Sequence, residues 1–322
     1  MARVSSILVK PATQPHLVAL GDLLLDVVVT PTRPIERGTD VPGTVVFRRG
    51  GSAANTAAAF VRAGGTGTLI TSLGDDPWVG AVLRSLRAEG VRVHAVRHAG
   101  PSARLAAIID ERGERAFVTQ RASADQLAPT DLREAWLRGV DALHVPAYSL
   151  FGEPIGSAAG RAVELARAAG ALASIDLSSA QPLLAFGVRR ARARLDALAP
   201  DILFANRDEA AAFLGQKGRR AWARLLRQAT LVVVKDGVWG CRVLRAEGDA
   251  VRQVDVAATR VGRRVDSTGA GDAFAAGFLH ALLSAGGREV MASDRVLRRA
   301  AMAGHRSAGA ALLRGRPELK LG

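Results

Sequence analysis

Short apolar runs alternate with longer helical stretches along most of the chain, and this rhythm leaves few folds open. The runs 16–20, 23–29, 68–73, 142–145, 172–175, 202–204 and 231–234 read as strands. Most are apolar throughout, as strands covered on both faces are, and do not alternate with polar residues. Between them, 53–63 reads as a helix stopped by Gly64-Gly65, and 77–89 as a helix closed by Gly90. Further helices are expected over 156–169, 208–214, 219–228 and 270–283. Buried strands separated by helices predict an α/β fold with a mainly parallel central sheet flanked by helices.

Two segments break the rhythm. Residues 30–49 contain Pro31, Pro34 and Pro42, followed by the β-rich Thr44-Val45-Val46-Phe47. Residues 91–121 are strand-like, with 104–110 and 115–120 flanking the turn Glu111-Arg112-Gly113-Glu114, a hairpin signal. A hairpin is not stable alone, so a small β-sheet packed over the main body or against a second copy is expected. The domain reading is therefore a core of 1–30, 50–90 and 122–322, with a lid of 31–49 and 91–121.

Composition excludes several function classes. With 322 residues, 48% of them hydrophobic and 23% charged, the chain has the balance of a globular enzyme. The net charge of +14 is almost all arginine, spread over the chain without a basic tract interleaved with aromatics, so nucleic acid is not the expected partner. The single cysteine, Cys241, rules out an internal disulfide and a cysteine-based metal site, and fits a reducing cytoplasm. Residues 1–10 lack a secretory pattern, and no apolar run reaches the ~18 residues of a membrane span.

The most chemical motif is Asp266-Ser267-Thr268-Gly269-Ala270-Gly271-Asp272, which opens an apolar helix. Glycines there let successive N–H groups point at one anion, aided by the helix dipole. Asp272 would repel that anion, so its reason to be there is proton abstraction from an attacking hydroxyl. The bland reading is a capped helix with an acid in its first turn. In Gly50-Gly51-Ser52-Ala53-Ala54-Asn55, a glycine pair precedes a helix and Asn55 offers both a donor and an acceptor, suited to a sugar hydroxyl. Asp26 could accept two hydroxyl hydrogen bonds from a vicinal diol. Asn206 and Glu209 follow a strand, at the ligand edge of an open sheet, and either orient Mg²⁺-bound water or cap a helix. Lys235-Asp236-Gly237-Val238-Trp239-Gly240 reads as a turn over nucleotide or as a plain hairpin turn. No P-loop, nucleophile elbow or His/Glu metal constellation is present, and His144 and His305 read as structural.

In this order and spacing the motifs resemble those of the ribokinase-like (PfkB) carbohydrate kinases, over about 18–314 of the chain. The resemblance implies a ribokinase-like core with a β-sheet lid, and transfer of the ATP γ-phosphoryl group to a primary hydroxyl of a sugar or sugar acid. It implies Asp272 as base and Gly269, Ala270 and Gly271 as anion hole. Asp26, Gly50, Gly51 and Asn55 would hold the acceptor. Asn206, Glu209, Lys235, Gly237, Gly240 and Thr268 would serve ATP, with Glu209 touching Mg²⁺ only through water. It admits K⁺ beside the anion hole and a homodimer through the lid. Leu24, the strand Leu143-His144-Val145-Pro146 without a glutamate, and Ile175-Asp176-Leu177-Ser178-Ser179 depart from the common pattern, which puts ribose as acceptor in doubt. A nucleoside kinase of the same fold is the nearest alternative, with Phe47, Phe117, Tyr148 and Phe151 as the aromatics available to a base. A non-catalytic nucleic-acid or sugar-binding protein would have no need of Asp272.

Overall fold

The computed structural model describes residues 14–110, 115–262 and 267–321. Its elements are β1 (His16–Leu20), β2 (Leu24–Pro31), β3 (Gly43–Gly50), α1 (Ser52–Arg62), β4 (Thr66–Leu73), α2 (Val79–Ala88) and β5 (Arg92–Arg97). Then come β6 (Arg104–Ile109), β7 (Arg115–Gln120), β8 (Ala142–Pro146), α3 (Ile155–Ala168), β9 (Leu172–Asp176), α4 (Ala180–Phe186) and α5 (Val188–Leu198). The chain continues through β10 (Ile202–Asn206), α6 (Arg207–Leu214), β11 (Leu231–Lys235), β12 (Cys241–Glu247), β13 (Ala250–Val256), α7 (Ala270–Ser284) and α8 (Asp294–Arg314). Residues 219–227 form a 3₁₀ helix where an α-helix was expected.

Nine strands form one sheet in the order β13-β12-β11-β10-β9-β8-β1-β4-β5. It is parallel from β5 to β11, and β12 and β13 add an antiparallel edge. Successive residues of a strand serve opposite faces, because side chains alternate. In β1, Val18 and Leu20 join the core under α3, α5 and α6, whereas Leu17 and Ala19 pack toward α1, α7 and α8. Phe204 and Phe278 meet edge-to-face at 5.4 Å and anchor α7 to the sheet. Such a core holds the N-terminus of α7 in one place.

The second sheet has four strands in the order β3-β2-β6-β7. Two strands differ from the sequence reading. β2, assigned there to the core, lies in the small sheet, paired with β3 and β6. β5, assigned to the lid, pairs parallel with β4 at the edge of the main sheet. Both corrections share a cause. An apolar strand such as β2 reads alike in either sheet, and an edge strand carries the mixed polarity of a lid strand. The hairpin strands β6 and β7 pair as expected. Their turn, residues 111–114, lies outside the described residues.

The order of the main sheet reverses between β1 and β8: the chain builds toward β5 on one side and toward β11 on the other. In open α/β sheets, ligands bind beyond the carboxyl ends of the strands at such a switch point. Asp22, Asp176, Asn206 and Lys235 lie at or just past the ends of β1, β9, β10 and β11.

Candidate active site

Gly269, in the left-handed conformation at φ 79°, turns the chain into α7 and places Asp272 in its first turn. The first N–H groups of a helix have no partner within it, so this turn presents donors as well as the carboxylate. Asp272 accepts from the Ser52 hydroxyl and, at 3.0 Å, from Asn55 Nδ2. Both partners come from the first turn of α1, which Gly51 starts at φ 105°. A side chain at Gly51 would strike the Asp22 carbonyl. The two glycine motifs, far apart in sequence, therefore close on one carboxylate. Asp266 lies outside the described residues.

Asp272 also faces other charges. Lys235 Nζ donates to Asp176 Oδ2 at 2.5 Å, and a Cβ at Gly271 would lie 3.4 Å from that ammonium. Glu209 completes the group. Burial pushes the Asp272 carboxyl up to about 6; the Ser52 and Asn55 hydrogen bonds oppose this, and Asp176 adds to it. Burial, then Asp176, lifts Glu209 to about 7. Burial alone would lower Lys235, but Asp176 and Glu209 outweigh it and hold the ammonium above its ordinary value. One cation among three carboxylates leaves the cluster short of positive charge. Among the described residues, no group of three or more His, Cys, Asp or Glu forms a metal cage.

Asn206 and Glu209 make a complete capping box at the start of α6. Asn206 Oδ1 accepts from the N–H groups of Asp208 and Glu209 at 2.9 and 2.8 Å. Glu209 accepts from Asn206 N and Nδ2 at 2.7 and 2.6 Å. The cap fixes Glu209 at the start of α6, which is the structural reading of the pair. Gly237 and Gly240 shape the β11–β12 turn: both have positive φ, and a side chain at Gly240 would strike the Val256 carbonyl. Within the described contacts they adjoin the cluster only through Lys235. Thr268 accepts from Arg115 Nη1, on β7 of the small sheet.

At the other end, Asp26 on β2 sits beside Gly50, where any Cβ would collide with its carboxylate. It is buried and paired with Arg316. Asp22 takes a two-pronged hydrogen bond from Arg121, at 3.0 and 2.9 Å.

A model of the pfkB family of carbohydrate kinases matches residues 14–318. The chain belongs to that family. The fructokinase of Escherichia coli is 31% identical over 265 residues, 78% of this chain and 81% of that protein. An adenosine kinase from Sinorhizobium meliloti superposes with a TM-score of 0.80 at 24% identity, covering 93% of this chain and 94% of that one. A putative ribokinase II from E. coli, in complex with ATP and Mg²⁺, gives a TM-score of 0.74 at 22% identity over 94% of each chain. This pfkB chain is thus an ATP-dependent sugar kinase with the ribokinase-like fold.

The pfkB site also contains residues that sequence reasoning did not select. In sequence Asp176 stands only as a departure from the common pattern, yet it holds Lys235. In sequence Ser52 is one residue of a glycine turn, yet its hydroxyl meets Asp272. Arg49, buried, donates to Glu89 Oε1 at 2.9 Å and lies 3.4 Å from Asn55 Oδ1, turning the Asn55 amide so that its NH₂ faces Asp272. The signal for Asp176 was its place at a strand end; for Arg49 there was none, since its partners are set by register. His144 is buried, with Nδ1 3.0 Å from Ser174 Oγ.

Proposed function

We propose that the chain transfers the γ-phosphoryl group of ATP to a primary hydroxyl of a sugar or sugar acid, with Asp272 taking the hydroxyl proton. The observation that carries this is the convergence of Ser52, Asn55 and Lys235 on Asp272 at the donor-rich start of α7. As the hydroxyl oxygen attacks phosphorus, its proton passes to Asp272, and the Gly269, Ala270 and Gly271 backbone receives the charge of the moving phosphoryl oxygens. Asp272 held near 6 is ionised at neutral pH yet still basic enough to accept that proton. Asp26, Gly50, Gly51 and Asn55 hold the acceptor, and Asn206, Glu209, Lys235, Gly237, Gly240 and Thr268 face ATP.

The cluster's shortage of positive charge fits a divalent ion arriving with ATP. Glu209 would hold Mg²⁺ through water, where the ion neutralises phosphate charge. Pairing of two copies through the lid belongs to the same reading. Val45 and Val118 lie on one face of the small sheet, 57% and 69% exposed.

One observation favours a nucleoside acceptor instead. Phe117 is 55% exposed on the sheet face that carries Asp26 and Arg115, where an aromatic could stack on a base. The test is an ATP-consumption screen over fructose, ribose, ketodeoxygluconate, adenosine and pseudouridine with Mg²⁺. Turnover on a sugar or sugar acid supports the first reading, and turnover on nucleosides alone supports the second. ATP consumption that is indifferent to every acceptor overturns both.

A further inference from the structure

The stretch after α8 belongs to no motif, yet it reaches the acceptor end of the site. Gly315 ends α8 at φ 66°. The chain then runs antiparallel to β3, pairing Glu318 with Arg48 and donating Leu319 N–H to the Phe47 carbonyl at 2.7 Å. Leu319 is buried, and Leu321 packs on the same apolar cluster of α1, α2 and β4. β3 is an edge strand of the small sheet. Residues 315–321 therefore form a strap over an edge whose N–H and C=O groups would otherwise be open.

Backbone pairing and the burial of Leu319 would dock such a strap by themselves. The strap does more, because it carries Arg316 inward. Arg316 Nη1 donates to Asp26 Oδ2 and lies 3.4 Å from the Arg49 carbonyl. The two side chains of the ion pair are only 13% and 6% exposed. A buried ion pair is a poor adhesive, since desolvation offsets most of the attraction. What it does well is hold a carboxylate charged and in one orientation. A carboxylate that must accept hydroxyl hydrogen bonds needs both.

We infer that Arg316, delivered by the strap 315–321, is a positioning residue that holds the Asp26 carboxylate in place for the acceptor's hydroxyls. The inference rests on the acceptor role proposed for Asp26. It places a determinant of acceptor binding in the segment that follows the last helix, and it joins that segment to the small sheet and the acceptor pocket in one unit.

The test uses the acceptor with the fastest turnover in the screen above, and compares the KM for acceptor and for ATP in the wild type, Arg316→Ala and Arg316→Lys. Loss of one charge-assisted contact to Asp26 should raise the acceptor KM of Arg316→Ala about tenfold or more. The ATP KM should stay unchanged, and Arg316→Lys should recover part of the loss. An unchanged acceptor KM overturns the inference. So does a lowered one, which would make Arg316 a plug, and so does a parallel rise in both KM values, which would make it a general structural strut. In each of those cases the kinase reading stands. A wild type that turns over no acceptor defeats that reading, and this inference with it.

Discussion

The strands at the centre of the main sheet, such as β1 and β10, are buried almost along their whole length, whereas β7 of the small sheet is exposed at every position after Arg115. The difference sorts the chemistry. Asp176, Asn206, Glu209, Lys235 and Asp272 stand on strand ends and helix starts clamped by two-sided packing, and burial shifts the titrations of Glu209 and Asp272 upward. The small sheet contributes groups that reach out of it: Arg115 to Thr268 at the start of α7, and Asp26 to Arg316 on the strap. A fixed half suits proton and phosphoryl transfer, which fail if displaced by an ångström. A half with an exposed outer strand suits admitting and covering an acceptor.

Packing gives the largest expected contrast. Phe278→Ala removes a fully buried ring between α7 and β10 and should destabilise the protein by about 3–5 kcal/mol. Thr119→Ser on β7 of the small sheet should change stability by no more than about 0.5 kcal/mol. Urea denaturation of the two variants checks this, and comparable losses would break the contrast between the sheets.

The next contrast is kinetic. Asp26→Ala should raise the acceptor KM by about 10²-fold, as expected on losing two charge-assisted hydrogen bonds, and leave the ATP KM little changed. Equal effects on both substrates would remove Asp26 from the acceptor site. A smaller effect concerns pH. Asp272 must be ionised to accept a proton, so kcat should fall as pH drops through about 6. Lys235→Met removes the ammonium that opposes this rise and should move the acid limb to higher pH. An acid limb that stays in place would separate Lys235 from Asp272.

Much of this was readable from the residues, for reasons that also explain what was not. The βα rhythm reports burial on two faces, a local property, so most core strands and helices were legible to within a residue or two. The Gly-Ala-Gly-Asp start of α7 and the Asn206–Glu209 box are local too, each carrying its geometry in a few adjacent residues. Which sheet β2 joins is decided by partners elsewhere in the chain, and its apolar sequence is silent on that. The contacts of Asp272 with Ser52 and Asn55 span 220 and 217 residues. Motif order suggested that these segments meet, but not that the Ser52 hydroxyl makes a contact. Arg49 and Arg316 were invisible because one arginine among many in a chain of net charge +14 carries no mark of its partner.

The central claim is that Asp272 takes the acceptor's proton, and Asp272→Asn tests it most directly. Folding raises this carboxyl from 3.8 to about 6, so its ionisation opposes folding as pH rises through that window. At pH 8 the uncharged amide should therefore melt no lower than the wild type. With fold and ATP binding verified, acceptor-dependent kcat should fall by at least ~10²-fold, as loss of a general base requires. A variant that turns over at the wild-type rate would contradict the account.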